Sequence, residues 1–245
     1  MLYAVADIHG FDTSLEQALS LIEADGGADA PIVFLGDYVD RGPNSRGVLQ
    51  RLIDGRAAGR DWTCLMGNHD RMFARFLDDA TQHDERIKSH KSWLNPSLGG
   101  SATLASYGLE DVSGRDADDL FEEACARVPQ EHRDFLNELE TYHETDAHIF
   151  VHAGIRPGVP MADQTEDDLV WIRDPFLFDA RDHGKLVVHG HTALNHPEAR
   201  PNRINLDGGA GFGNPLYPAV FDDGGWFLLK GTGREAFWSE PAFAA

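Results

Sequence analysis

Short runs of β-type apolar residues alternate along the chain with stretches whose apolar positions recur every three or four residues. Leu2–Ala6 is the first such run and predicts a strand. Thr13–Ala24 follows with Leu15, Ala18, Leu19 and Ile22 on one face, which predicts an amphipathic helix ended by Gly26-Gly27. The alternation continues with a strand over Pro31–Leu35, a helix over Ser45–Ala58, a strand over Trp62–Met66 and a helix from Arg71 to about Asp79. Strands alternating with helices predict an α/β fold built largely from βαβ units.

From about Thr81 to Thr145 the pattern loses regularity. This segment holds the pair Gly99-Gly100 and one further helical stretch, Gln130–Tyr142, and reads as a helical insertion beside the active site. Strands resume at His148–His152, Leu186–His189 and Arg203–Asp207, followed by a hairpin over Pro218–Lys230 turned by Asp222–Gly225. Neither an internal repeat nor a shift of composition divides the chain, so one domain over residues 1–245 is expected.

Composition narrows the function. A net charge of −20, from 41 acidic against 21 basic residues, repels long nucleic acid and anionic membrane unless a basic patch intervenes, and no run of Lys and Arg supplies one. Apolar runs fall short of a membrane span, and the first residues lack the basic flank and cleavage site of a signal peptide. Cys64 and Cys125 are too few and too far apart for a disulfide framework. A cytoplasmic enzyme or binding protein is the expectation.

In open α/β sheets, ligands bind beyond the carboxyl ends of the strands. Asp7-Ile8-His9-Gly10 follows the first predicted strand, Gly36-Asp37-Tyr38-Val39-Asp40-Arg41-Gly42 the second and Gly67-Asn68-His69-Asp70 the third. His152-Ala153-Gly154 and His189-Gly190-His191-Thr192 follow later ones. Any one fragment reads equally well as a turn or a cap. Together they deliver carboxylate, amide and imidazole groups to one edge, a set that suits a pair of divalent ions and, lacking thiolate, favours Mn²⁺, Fe or Zn²⁺. His189 reads instead as a buried hydrogen-bonded partner, Asp207 as a ligand-orienting group or a turn cap, and the remaining histidines as surface or structural.

These motifs, in this order, resemble the calcineurin-like metallophosphoesterases, and more closely their phosphoprotein phosphatase branch of bacterial type. Asp40-Arg41-Gly42 and Trp171-Ile172-Arg173-Asp174 carry the closer likeness, while Ala6 departs from the glycine usual there. The resemblance implies a sandwich of two mixed β-sheets flanked by helices. It implies that Asp7 and His9 bind one metal, that Asp37 bridges two, and that Asn68, His152 and His191 complete the second site. It further implies a metal-bridging hydroxide as nucleophile, His69 as proton donor oriented by Asp70, and Arg41 and Arg173 on the phosphate oxygens.

The substrate implied is a phosphoserine or phosphothreonine in a protein, with Mn²⁺ as the metal. A dinucleoside polyphosphate such as diadenosine tetraphosphate is the alternative, another small phosphoester a further one, and a non-catalytic metal-binding scaffold the reading from another class. Trp93 in the insertion reads as loop packing or as a platform for a base.

Overall fold

Strand β1 (Leu2–Val5) turns Tyr3 and Val5 to one face and Ala4 to the other, and β2 (Ile32–Phe34) does the same with Ile32 and Phe34 against Val33. The two-residue period of the strand therefore splits the apolar positions between two layers. Tyr3, Val5, Ile32 and Phe34 join the helices in the larger core, while Ala4 and Val33 meet residues of a second sheet. In that second sheet β5 (His148–Val151) and β6 (Leu186–His189) send Phe150, Leu186 and Val188 inward. Their other faces carry Ile149, Val151 and Val187 towards helix α7 (Glu166–Trp171). Each fully buried side chain of this size contributes roughly 1.5–3 kcal/mol. The computed structural model describes residues 1–112 and 114–239; Ser113, within the segment read as an insertion, and residues 240–245 lie outside the described residues.

Strand β3 (Trp62–Cys64) extends the parallel run β1-β2-β3, with α1 (Asp12–Gly26) and α2 (Ser45–Ala57) as the crossovers. On the other side of β1 lie β9 (Ala219–Asp222), β10 (Gly225–Lys230) and β11 (Gly233–Ser239), all antiparallel to their neighbours. Asp223 and Gly224, with φ of 47° and 76°, make the two-residue turn between β9 and β10. The second sheet runs β4 (Tyr142–Glu144), β5, β6, β8 (Arg203–Asn205) and β7 (Glu198–Ala199), parallel in its centre and antiparallel at both edges. The architecture is the single-domain sandwich of two mixed sheets expected from the resemblance.

Helix α3 (Asn68–Asp79) leaves the end of β3, and α4 (Gly100–Ser106), α5 (Ala117–Arg127) and α6 (Gln130–Asn137) follow. The helix expected over Gln130–Tyr142 stops at Asn137. Beyond it Glu140 pairs with Leu65, its amide donating to Cys64 and its carbonyl accepting from Met66, and the chain enters edge strand β4. Sheet pairing thus takes the backbone groups that a longer helix would have used. Among the described residues, no helix is long and apolar enough to cross a membrane.

Candidate active site

The ends of β1, β2, β3, β5 and β6 converge where the two sheets meet. Two groups of buried side chains form there: His9, Asp37 and His69, and Asp37, His152 and His191, with the potential ligand atoms of each group within 4.8 Å of one another. Asp37 belongs to both. Among the described residues, six of the ten non-glycine residues with positive φ are Asp7, His9, Asp37, Asp40, Arg41 and His191. Such conformations cost of order 1–3 kcal/mol each and persist where surrounding structure enforces them. Close approach is equally enforced: a side chain on Gly190 would run into the Asp7 carboxylate, and one on Gly67 into Asp37.

Hydrogen bonds fix the imidazole tautomers. His9 Nδ1 donates to the Val39 carbonyl at 2.9 Å and His152 Nδ1 to that of Leu35 at 2.8 Å, which leaves each Nε2 with a lone pair. Burial lowers the pKa of His9, His152 and His191, keeping these rings neutral. The His152 lone pair then faces Asn68 Oδ1 at 3.0 Å and Asp37 Oδ1 at 3.4 Å, while that of His9 accepts from Arg41 Nη1 and lies 3.5 Å from Asp37 Oδ2. His191 Nδ1 lies 2.7 Å from Asn68 Oδ1, and its Nε2 is buried without a partner. Asp7 accepts from the His191 amide, and burial with the charges of Asp207 and Asp37 pushes its pKa up. Electron-rich atoms brought to such separations are what a pair of cations would relieve, so the donor set fits two divalent ions.

His69 stands against this cluster with its Nδ1 2.6 Å from Asp40 Oδ2. Asp40 also accepts from Trp93 Nε1 at 2.8 Å and Thr103 Oγ1 at 2.7 Å. Asp70, expected to orient His69, does something else. Its carboxylate accepts from the backbone amides of Gly67, Asp37, Tyr38 and Val39, so it caps the first turn of α3 and clamps the loop after β2. Position N3 of the helix puts its oxygens within reach of those amides and leaves none for the imidazole. The second Asp of Gly36-Asp37-Tyr38-Val39-Asp40-Arg41-Gly42 was the available signal for Asp40. Nothing in the sequence marks Thr103, which arrives from the insertion.

Arg41 Nη2 lies 3.0 Å from His69 Nε2, and its guanidinium rests over the exposed ring of Phe212 at 4.5 Å. Arg173 donates to the His191 carbonyl at 3.4 Å, and among the described residues it has no ion pair with Asp174. Both arginines line one cleft of about 810 Å³ with Asp37, Asn68, His69 and His191. Trp93 is fully buried between Phe73 and Phe76, which leaves no face for a base. Asp207 bonds to the Gly209 amide as a turn cap and makes no hydrogen bond to His191, and burial pushes its pKa up to about 6. His189 bonds to the Gly190 carbonyl and faces Arg203.

The family described as calcineurin-like phosphoesterase matches residues 2–207. The symmetrical bis(5'-nucleosyl)-tetraphosphatase of Janthinobacterium sp. (strain Marseille) is 29% identical over 156 residues, covering 63% of this chain and 44% of that protein. Serine/threonine-protein phosphatase 1 of Salmonella typhimurium is 28% identical over 225 residues, covering 88% and 89%. Among solved structures, the cold-active protein-tyrosine phosphatase of a psychrophilic Shewanella sp. superposes with a TM-score of 0.65 at 17% identity, over 96% of this chain and 80% of that one. At that identity the likeness speaks for the fold alone.

Proposed function

The chain belongs to the calcineurin-like phosphoesterase family, and from that premise we propose that it is a dinuclear metal-dependent phosphomonoesterase acting on phosphoserine or phosphothreonine in proteins. The observation that carries the reading is Asp37, shared between two buried ligand groups beside the His69–Asp40 pair. Asp7 and His9 would hold one ion, Asn68, His152 and His191 the other, and Asp37 would bridge them. Mn²⁺ suits these oxygen and imidazole donors. When bound, two such ions supply a water of lowered pKa and neutralise charge on the phosphoryl group.

The chain's own residues do the rest. Arg41 and Arg173 present planar guanidinium groups to the phosphate oxygens. His69 would act as proton donor to the leaving oxygen through Nε2, and the Asp40 carboxylate at Nδ1 orients the ring. A protein substrate is supported by the relative named for that activity, whose match runs nearly end to end in both chains. A cytoplasmic setting is part of the proposal, in keeping with two free cysteines.

Hydrolysis of dinucleoside tetraphosphates is the second reading, favoured by local identity reaching 45% over 69 residues with a tetraphosphatase of Acidovorax sp. (strain JS42). The test is turnover with Mn²⁺ of a phosphothreonine peptide, diadenosine tetraphosphate and p-nitrophenyl phosphate side by side. Catalytic efficiency far higher on the peptide is expected; the reverse order replaces the protein reading with the nucleotide one.

A further inference from the structure

The Gly99-Gly100 pair of the insertion lies where that segment meets the loop after β2. The Gly99 carbonyl accepts from the Arg41 amide at 3.3 Å, and a Cβ on Gly99 would run into the Arg41 backbone. A Cβ on Gly100 would run into the Trp93 ring. Gly99 also has φ of 95°, a conformation that favours glycine. The two glycines therefore let α4 start in contact with that loop, and the first turn of α4 brings Thr103 to Asp40. We propose that Trp93 and Thr103 are positioning residues for the leaving-group side of the reaction: acting through Asp40, they hold His69 at the angle that protonation of the leaving oxygen requires. This role rests on the phosphoesterase reading above and assigns the insertion a part in its proton transfer.

Trp93 is indexed to His69 by the helix that carries His69. His69, Phe73 and Phe76 share one face of α3, because residues three and four apart are neighbours on a helix. Trp93 packs on that face, its ring centroid 5.5 Å from that of Phe73 and 5.0 Å from that of Phe76. Its Nε1 then donates to Asp40 Oδ2 at 2.8 Å, the same oxygen that lies 2.6 Å from His69 Nδ1. Thr103 Oγ1 donates to Asp40 Oδ1 at 2.7 Å and accepts from the Asp40 amide at 2.8 Å, so one hydroxyl ties the side chain of Asp40 to its own backbone.

Asp40, Trp93 and Thr103 are fully buried, so the protein itself supplies the hydrogen bonds of this carboxylate. A buried carboxylate short of a donor turns towards the donors it has left, and His69 Nδ1 is one of them. The imidazole would follow, and Nε2, on the other side of the ring, would lose its aim. In the phosphoesterase reading the P–O bond breaks with its electron pair on the leaving oxygen, and His69 supplies through Nε2 the proton that this oxygen takes up. The more basic the leaving oxygen, the more the transfer contributes. A defect in aiming His69 therefore falls hardest on esters of poor leaving groups, whereas a general loosening of the site slows all esters alike.

The test compares full-length, Mn²⁺-loaded wild type with Trp93→Phe, Thr103→Val and Thr103→Ser. Trp93→Phe keeps an aromatic ring and removes the N–H; Thr103→Val removes the hydroxyl, which Thr103→Ser retains. Turnover is measured on phenyl phosphate and p-nitrophenyl phosphate, which share a ring and differ in how well the oxygen leaves without a proton. Inhibition by inorganic phosphate and metal content are measured on the same samples. In Trp93→Phe and Thr103→Val, kcat on phenyl phosphate should fall about tenfold, part of the roughly 10²- to 10⁴-fold that a general acid supplies, and by about threefold or less on p-nitrophenyl phosphate. Phosphate inhibition and metal content should stay at wild-type values, and Thr103→Ser should recover most of the lost kcat. Equal proportional losses on the two esters make the residues structural and overturn the positioning role, as does the absence of any loss; both leave the phosphoesterase reading intact. Either variant alone decides this where the other fails to fold. Turnover of neither ester by wild type overturns both readings.

Discussion

His69 Nδ1 lies 2.6 Å from Asp40 Oδ2, on a carboxylate that is itself fully buried and accepts from Trp93 and Thr103. Three donors from three parts of the chain therefore fix one carboxylate, and that carboxylate fixes the ring. Nδ1 is committed to Asp40, so Nε2 is the nitrogen left to face the cleft and Arg41.

Asp40→Asn keeps the size of the side chain and removes the charge that holds the imidazole. Turnover of p-nitrophenyl phosphate should fall by roughly 10²-fold, the lower end of a general-acid contribution, with metal content unchanged. Steady-state kinetics beside elemental analysis checks both; undiminished kcat would mean the ring needs no carboxylate.

Asparagine at His69 separates proton donor from ligand, since His69 also falls within one of the two ligand groups. His69→Asn should keep both metals and slow turnover by roughly 10²- to 10⁴-fold. Loss of metal from this variant would instead make His69 a ligand.

Asp70 serves four backbone amides, so its removal should appear in stability. Asp70→Asn replaces one acceptor oxygen with an amide donor facing N–H groups, and should cost about 2–3 kcal/mol in urea unfolding. A loss below about 0.5 kcal/mol would contradict the clamp.

His148 sets a pH dependence away from the metal cluster. Its Nε2 accepts from Trp226 Nε1 at 3.1 Å, and burial lowers its pKa from 6.5 to about 4. The unfolded chain therefore binds more protons between these values. Stability from this group is complete above about pH 6.5 and falls as pH drops towards 4, by about 3 kcal/mol in all. His148→Gln keeps an acceptor for Trp226 without titrating, so its urea midpoint should lose less than wild type between pH 7 and 4. Parallel curves would assign the acid sensitivity elsewhere.

The central strands and the chemistry at their ends were legible in the sequence because both depend on local order. An apolar run predicts β1, and the polar residues after it must fall at its carboxyl end. The edges were less legible: β4 and β11 contain charged and exposed positions, and nothing local says that another strand will pair with them. Partnership within the site was harder still. The run Asn68-His69-Asp70 suggests that its neighbours act together, yet helix geometry sends Asp70 to the backbone amides while Asp40, 29 residues away in sequence, reaches His69. The contribution of Thr103 depends on how the insertion packs over the site, which no pattern of spacing reveals.

The most direct test of the two-ion account is a Mn²⁺ titration of chelator-stripped wild type and Asp37→Asn by calorimetry, with p-nitrophenyl phosphate turnover followed at each step. Wild type should take up two equivalents per chain and gain activity with the second, whereas Asp37→Asn should lose at least one ion and its activity. Full activity in the Asp37→Asn variant, or in wild type holding a single ion or none, would contradict the account.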